Sequence, residues 1–269
     1  MRWVSPDRKA LENIQRWQDD SQIDGSQGYT MLLSTESSRT YNTDRRLACT
    51  LAAVAGALNT AAFETVGFFS ANMTGNVSLL SDHLAKVDLH IGLFFLVIIL
   101  LFIAGSSVST LIINAGRRRE IRGIYAINIF IEGIALLVLG VLESWFPNND
   151  SGVQLIFSLS FLLGLQNAVV TRISNARVRT THVSGTSTDI GIELAMLLDV
   201  LRRKESPKDA PLYIERLKLH LFTVLAFLGG GVVGIVLLKA ISFKLLLMIG
   251  LMLTMMSLTA LHRARQVAR

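Results

Sequence analysis

The chain has 269 residues, of which 51% are hydrophobic and only 17% charged, and its formal net charge at pH 7 is +6. A mean hydropathy of +0.48 with so few charges excludes an ordinary soluble domain. The basic balance does not indicate nucleic-acid binding, because the Lys and Arg residues border apolar runs and no RNA- or DNA-binding motif is present.

Residues 1–44 form a polar segment ahead of the apolar runs. Their Ser, Thr, Gly and Asp content is typical of poorly ordered chain. They contain no apolar core of the length that a signal peptide needs. We therefore predict a disordered N-terminal segment on the cytoplasmic side.

Six apolar stretches follow, and each is long enough to cross a bilayer. A hydrocarbon core of about 30 Å requires about 20 mostly apolar residues in an α-helix. The single cysteine, Cys49, rules out a disulfide within the chain and is expected to be a small buried residue. We predict an all-α membrane protein with six transmembrane helices, at residues 47–69, 91–115, 124–146, 153–170, 219–238 and 245–261.

Two polar turns interrupt this apolar pattern, at residues 71–76 and 181–186. Irregular backbone within a bilayer is tolerated only where protein or a water-filled cavity satisfies its polar groups. We therefore predict broken or re-entrant helices at both places. Each turn either contributes to a substrate site or only caps a helix, and the sequence leaves both interpretations open.

Hydroxyl and amide side chains in these turns are candidate N-caps. Thr74 or Asn76 would cap a helix through VSLLSDHLA. Ser184 or Thr186 would cap a helix through DIGIELAMLLDV, and Thr186 and Asp189 have the spacing of a capping box. A helix N-terminus carries about half a positive charge and unpaired N–H groups, so it favours an anionic or carbonyl group.

The two turns belong to two similar halves of the sequence. GALN at 56–59 matches GLQN at 164–167 with an offset of 108 residues, and MTGN matches VSGT with an offset of 110. One short insertion reconciles the two offsets. Because each half holds three spans, the second copy would enter the membrane from the opposite side. We therefore predict inverted repeats at 45–146 and 151–262, a plan that recurs in secondary transporters.

Basic residues lie mostly on one side of the predicted spans. With a cytoplasmic N-terminus, 23 of the 26 Lys and Arg residues fall in inner segments, which is the positive-inside pattern. Arg172, Arg177 and Arg179 are explained first as topology anchors and second as groups that attract anions. We expect a multi-pass protein of the plasma membrane (the inner membrane in bacteria), with both termini and a basic tail at 263–269 in the cytoplasm.

Polar side chains within the spans mark a second part of the candidate site. A charged group at the bilayer centre costs at least ~2.5 kcal/mol on insertion scales, so such groups usually face the bundle interior. Glu132 lies near the middle of the third span and is the best candidate for proton or cation coupling, with Asn128 on the same helical face. The simpler alternative for these residues is interhelical hydrogen bonding. A shared polar cavity would be lined by Asn59, Glu64, Asn128, Glu132, Gln166 and Asn167.

No pattern in the sequence indicates a metal, a cofactor or an enzyme. His182, Asp189 and Glu193 are close in sequence, but their spacing does not match known metal-ligand sets. A nucleophile elbow, an H-E-x-x-H pair, a Walker loop and a dinucleotide fingerprint are all missing from the sequence.

The segments around the two turns resemble the signatures of a known family. GALNTAAFETVGFFSANMTGNVSLL and GLQNAVVTRISNARVRTTHVSGTSTDIG are similar to those of the YoaK-like membrane proteins, a domain of unknown function (1275), and the resemblance covers residues 45–262. It implies a multi-pass inner or plasma membrane protein and implies no substrate. The chain departs from the family pattern at Asn59, where an acidic residue often stands. If that acid couples transport to a proton, Glu64 or Glu132 would have to replace it here, or coupling is lost.

These features together predict a small-solute transporter or permease of unknown substrate. The alternative is a non-transporting scaffold or lipid-binding protein, whose small-residue faces AGSS and GGGVVG mediate packing or a homo-oligomer. The expected partners are membrane lipids and a small molecule, with an anion as one option. The candidate substrate-binding residues are Asn59, Glu64, Asn72, Thr74, Gly75, Asn76, Asn128, Glu132, Gln166, Asn167, Thr181, His182, Ser184, Gly185, Thr186 and Asp189.

Overall fold

The computed structural model describes residues 41–121, 123–145, 151–242 and 244–266. The prediction of disorder for residues 1–40 lies outside these ranges, as does the end of the basic tail. The described helices are α1 (Tyr41–Val66), α2 (Met73–Ala85), α3 (Leu89–Arg118), α4 (Ile124–Trp145), α5 (Ser151–Ile173), α6 (Val183–Leu201), α7 (Ala210–Ile241) and α8 (Lys244–Gln266).

The six predicted spans are confirmed, although most of the helices are longer than their apolar stretches. α1, α3, α4, α5, α7 and α8 are each long and apolar enough to cross a membrane. The largest difference is in α7, which begins at Ala210 although its predicted apolar span starts at residue 219. Its first turns are polar and carry a Lys218–Glu215 ion pair at 3.1 Å. Hydropathy finds the apolar part of a helix and therefore misses such polar extensions.

The start of α1 corrects the predicted boundary of the disordered segment. Residues 41–44 are helical, and Asp44 is completely buried. The Asp44 carboxylate lies 3.0 Å from the guanidinium of Arg177, in the connection between α5 and α6. This ion pair ties the first turn of the first span to the segment that precedes α6.

Glycines bring two pairs of spans into close contact. α1 packs along α7, and α3 packs along α5. A Cβ added at Gly56 would collide with the Phe227 carbonyl of α7, and one added at Gly164 would collide with the Phe102 carbonyl of α3. Because glycine has no side chain, the two backbones approach closely in each pair. Contacts between α1 and α5 join the two pairs at the centre.

α4 and α8 form a third pair, which packs against α5 through α4. Gly133 of α4 and Gly250 of α8 lie against each other's backbones. Among the described residues, two longer helices outside the spans pack beside them: α2 lies against α3, and α6 lies against α7. α2 has 13 residues, and at about 1.5 Å per residue it is too short to cross a bilayer.

Candidate functional site

The chain breaks between α1 and α2 and between α5 and α6, where the polar turns predicted this. α2 begins at Met73, and its N-cap is Asn72, whose side-chain oxygen accepts a hydrogen bond from the Gly75 N–H at 3.1 Å. The predicted N-caps Thr74 and Asn76 are therefore wrong. Both lie inside the first turn of α2, because the helix begins earlier than the hydroxyl pattern indicated.

The equivalent start of α6 also differs from the prediction. α6 begins at Val183, and His182 stands at the N-cap without a side-chain capping bond. Ser184 and Thr186 lie within the helix, and the Thr186 hydroxyl donates to the His182 carbonyl at 2.9 Å. The predicted caps and the capping box from Thr186 to Asp189 are therefore wrong, since a residue inside the first turn cannot be its N-cap.

One glycine in each turn makes room for the N-cap side chain. A Cβ added at Gly75 would collide with the side chain of Asn72, and one added at Gly185 would collide with the ring of His182. The N-cap side chain of each helix therefore lies over the first turn, in the space that a side chain at the glycine would occupy. This is a local reason for a glycine at the third position of both α2 and α6.

The asparagine of each Gly-x-x-Asn motif reaches the turn that follows its helix. The side-chain oxygen of Asn59 accepts a hydrogen bond from the buried Ala71 N–H at 2.8 Å. Asn167 accepts from the Thr180 hydroxyl at 3.5 Å, which is a longer contact. The motif thus combines close helix packing with a side chain that holds the start of α2 or α6.

A cavity of ≈ 1110 Å³ lies between these two helix starts. It is bounded by α1, α3, α5 and α7 and by the N-terminal turns of α2 and α6. Eight of the predicted substrate-binding residues line it, from both halves of the chain. They are Asn59, Asn72, Thr74, Gly75, Asn167, Thr181, His182 and Ser184.

The cavity also has walls that sequence reasoning did not assign to a site. Ser106 and Thr110 of α3 line it, and their spacing of four residues, which places them on one helical face, was the available signal. The apolar lining residues on α3 and α7 are Phe102, Val224, Phe227, Leu228, Val232 and Ile235.

Two arginines line the cavity, and sequence reasoning had assigned them first to topology. Arg172 is in the last turn of α5, and Arg179 follows in the connection to α6. The Arg172 guanidinium donates to the Asn114 side-chain oxygen at 3.1 Å, and its buried Nε has no hydrogen-bond partner within the described residues. Sequence alone could not separate these arginines from Arg177, which pairs with Asp44.

A smaller cavity of ≈ 380 Å³ adjoins the first and shares Arg179 and His182 with it. The predicted residues Gly185, Thr186 and Asp189 line this second cavity. Its wall also includes His220 of α7, whose Nδ1 lies 2.9 Å from the carboxylate of Glu193 on α6. Burial raises the pKa of the Glu193 carboxyl, and the contact with His220 lowers it by less.

The predicted residue Glu132 and its neighbours are not among the lining residues of either cavity. Glu132 is completely buried, and its carboxylate accepts a hydrogen bond from Gln166 at 2.9 Å across the α4–α5 contact. The Asn128 amide donates to the Ile124 carbonyl at 3.1 Å within α4. These residues lie in a packed interface. The single polar cavity predicted from the sequence is therefore two separate features, namely a cavity and a buried hydrogen-bonded pair formed by Glu132 and Gln166.

Two further predicted residues also lie outside the lining of the cavities. Glu64, near the end of α1, forms an ion pair with Lys239 of α7 at 2.9 Å. Asn76 is buried, and its amide donates to the Phe69 carbonyl at 3.0 Å, which holds the turn before α2.

Comparison with protein families finds a match for most of the chain. The model of a family described as protein of unknown function (DUF1275) matches residues 47–259. No curated protein and no solved structure matches the chain. The match covers both turns, four whole spans and most of the first and last spans, and it brings no substrate or activity with it.

Proposed function

The chain belongs to the DUF1275 family of proteins of unknown function, and we propose that it is a small-solute transporter or permease of the plasma membrane. The single observation that carries this proposal is the cavity of ≈ 1110 Å³. It is bounded by four spans, and the N-terminal turns of both α2 and α6 contribute to its lining. Transporters commonly bind substrates where interrupted helices meet between two repeats.

An inverted repeat would explain how such a cavity opens to each side in turn. The contact of Gly56 with Phe227 corresponds to the contact of Gly164 with Phe102. The glycines are 108 residues apart and the phenylalanines 125 apart. Each contact joins a helix of one half to a helix of the other, so rocking about the shared centre would open one side while closing the opposite one.

We further propose that both termini face the cytoplasm. An even number of spans leaves both ends on one side, and 23 of the 26 basic residues lie in the segments on that side. Arg172 and Arg179 would then lie at the cytoplasmic end of the cavity.

A lipid-binding scaffold is the second candidate function. The phenylalanine and aliphatic side chains of α3 and α7 that line the cavity would suit an acyl chain. The separation of Glu132 from the cavity also removes the group that the sequence favoured for ion coupling. A scaffold of this kind would hold a lipid without moving a solute across the membrane.

Uptake into proteoliposomes distinguishes these functions. A panel of labelled carboxylates, amino acids and sugars would first identify a transported solute. Replacement of Gly75 or Gly185 by Leu should then abolish its uptake, because the added side chain displaces the N-cap at the cavity. Gly191→Leu on α6 is the matched control, since a Cβ there meets no atom within 4 Å. Normal uptake in both Gly75→Leu and Gly185→Leu would refute the site, and no uptake of any solute by folded protein would favour the scaffold.

A further inference from the structure

We infer that the central cavity recognises a soluble organic anion with an apolar body, and that Arg172 and Arg179 bind its charged group. This inference rests on the proposed function and adds the substrate class. Neither arginine was assigned to the site by sequence reasoning, so the support for it comes from their surroundings.

Arg172 has an incomplete set of partners. One terminal nitrogen donates to Asn114 at 3.1 Å, which fixes the side chain across the α3–α5 contact. Its Nε is buried and has no partner among the residues that the structure describes. A buried donor without a partner is uncommon in proteins. Arg172 also lines the cavity, and the terminal nitrogens of a guanidinium can bind a carboxylate through two parallel hydrogen bonds.

Arg179 contrasts with the arginine two residues before it. Arg177 forms its ion pair with the buried carboxylate of Asp44. Arg179 is exposed and lines both cavities, and no described carboxylate lies within ion-pair distance of it. The same short connection therefore directs one arginine to an internal acid and leaves the other at the cavity wall.

The remaining lining residues favour an anion over a cation. The described residues that line the central cavity include no Asp or Glu to balance Arg172 and Arg179. The N-terminal turns of α2 and α6 add N–H groups and partial positive charge on two sides of the same space. Phe102 and Phe227 also line the cavity and offer apolar surface for the body of the ligand.

The charge preference can be measured at one engineered thiol. The chain has a single cysteine, so Ser184→Cys in a Cys49→Ala background carries one reactive group at the cavity. We expect a sulfonate-bearing methanethiosulfonate to react roughly tenfold faster than its trimethylammonium counterpart, relative to a free thiol, because a charge near two arginines gains on the order of 1 kcal/mol or more. A ratio near one, or a ratio that favours the cation, would overturn the inference.

Arginine variants test whether Arg172 and Arg179 cause this charge preference. Arg172→Gln with Arg179→Gln should reduce the charge preference to the small part that the helix N-termini supply, whereas Arg172→Lys should retain more of it. Arg202→Gln is the control, because Arg202 is an exposed cation after α6 that does not line the cavity. If the double variant does not fold, the exposed Arg179→Gln alone should still reduce the ratio. An unchanged ratio in folded Arg179→Gln and in the double variant would overturn the assignment.

A protection assay then tests the ligand class and its source. Benzoate should slow labelling of Ser184→Cys, and its neutral analogue benzamide should not. Equal effects of the two, or none from either, would overturn recognition of a soluble organic anion. The assay is run in phosphatidylcholine vesicles with and without phosphatidylglycerol, and protection by the anionic lipid alone would assign the arginines to a headgroup. Because labelling needs no transport, these results stand apart from the uptake assay, which alone tests the proposed function.

Discussion

Replacement of Asn59 tests whether the side-chain oxygen of this residue holds the turn before α2. Its side-chain oxygen accepts the Ala71 N–H at 2.8 Å, and both residues are buried. Asn59→Leu removes the acceptor and leaves that N–H without a partner. Asn59→Asp keeps an acceptor oxygen at the same place, and the cavity beside it offers access to water. An acidic residue at position 59 can therefore make the same hydrogen bond.

The expected loss follows from the buried N–H group. An unsatisfied buried donor costs about 1–3 kcal/mol, and 1 kcal/mol corresponds to roughly 2–4 °C in melting temperature for a domain of 150–250 residues. We expect Asn59→Leu to lower the melting temperature by roughly 2–12 °C. Asn59→Asp should lower it by less.

Thermal unfolding of the purified protein in detergent measures this order of stability. Asn167→Leu is the internal comparison, because its hydrogen bond to Thr180 is longer, at 3.5 Å, and its loss should be smaller. A melting temperature for Asn59→Leu within 1 °C of the unmodified protein would refute the role of Asn59 in the turn. Equal losses for Asn59→Leu and Asn59→Asp would show that shape, rather than the acceptor oxygen, matters.

Three further predictions concern packing and buried acids. Gly164→Val should destabilise the protein by about 1–3 kcal/mol in thermal unfolding, because its side chain would collide with the backbone of Phe102. Since burial raises the pKa of Glu193, its stabilising contribution should be complete below the ordinary value of 4.5 and lost as the pH rises through the higher folded value. Glu193→Gln should therefore show a smaller fall in melting temperature than the unmodified protein as the pH rises from 4.5. Glu132→Gln should retain fold and uptake, because it keeps an acceptor for Gln166, and loss of uptake with normal stability would restore Glu132 to the transport site.

Short-range patterns predicted the spans and both breaks, because these features depend on residues that are close together in the sequence. Apolar length fixed the six helices, and the two glycine-centred turns marked α2 and α6. The caps were misplaced because Thr74 and Ser184 have the right chemistry but lie two residues after the actual N-caps, Asn72 and His182. Such a shift depends on the backbone and is not visible in residue types.

Longer-range relations were beyond the sequence. Arg172, Arg177 and Arg179 are equally basic, yet contacts with Asn114 and Asp44, which are distant in the chain, give them different roles. Glu132 was predicted to line the cavity because helical periodicity shows on which face of a helix a residue lies. It does not show which other helix packs against that face. The partner of Glu132 is Gln166 across a packed interface. Although Gln166 is next to the lining residue Asn167 in the sequence, Gln166 and Glu132 do not line the cavity.

Helices of the first half pack against helices of the second half, and this has a consequence for how the chain folds during its synthesis. The first span contacts α7 through a hydrogen bond from Thr60 to Gly231 that joins residues 171 positions apart. At a synthesis rate of about 5–20 residues per second, α1 waits roughly 10–35 s in the membrane before that partner emerges. During this interval its small-residue face lies open to lipid or to an insertion chaperone. Neither half should be stable when made alone, and two halves produced as separate chains should recover each other.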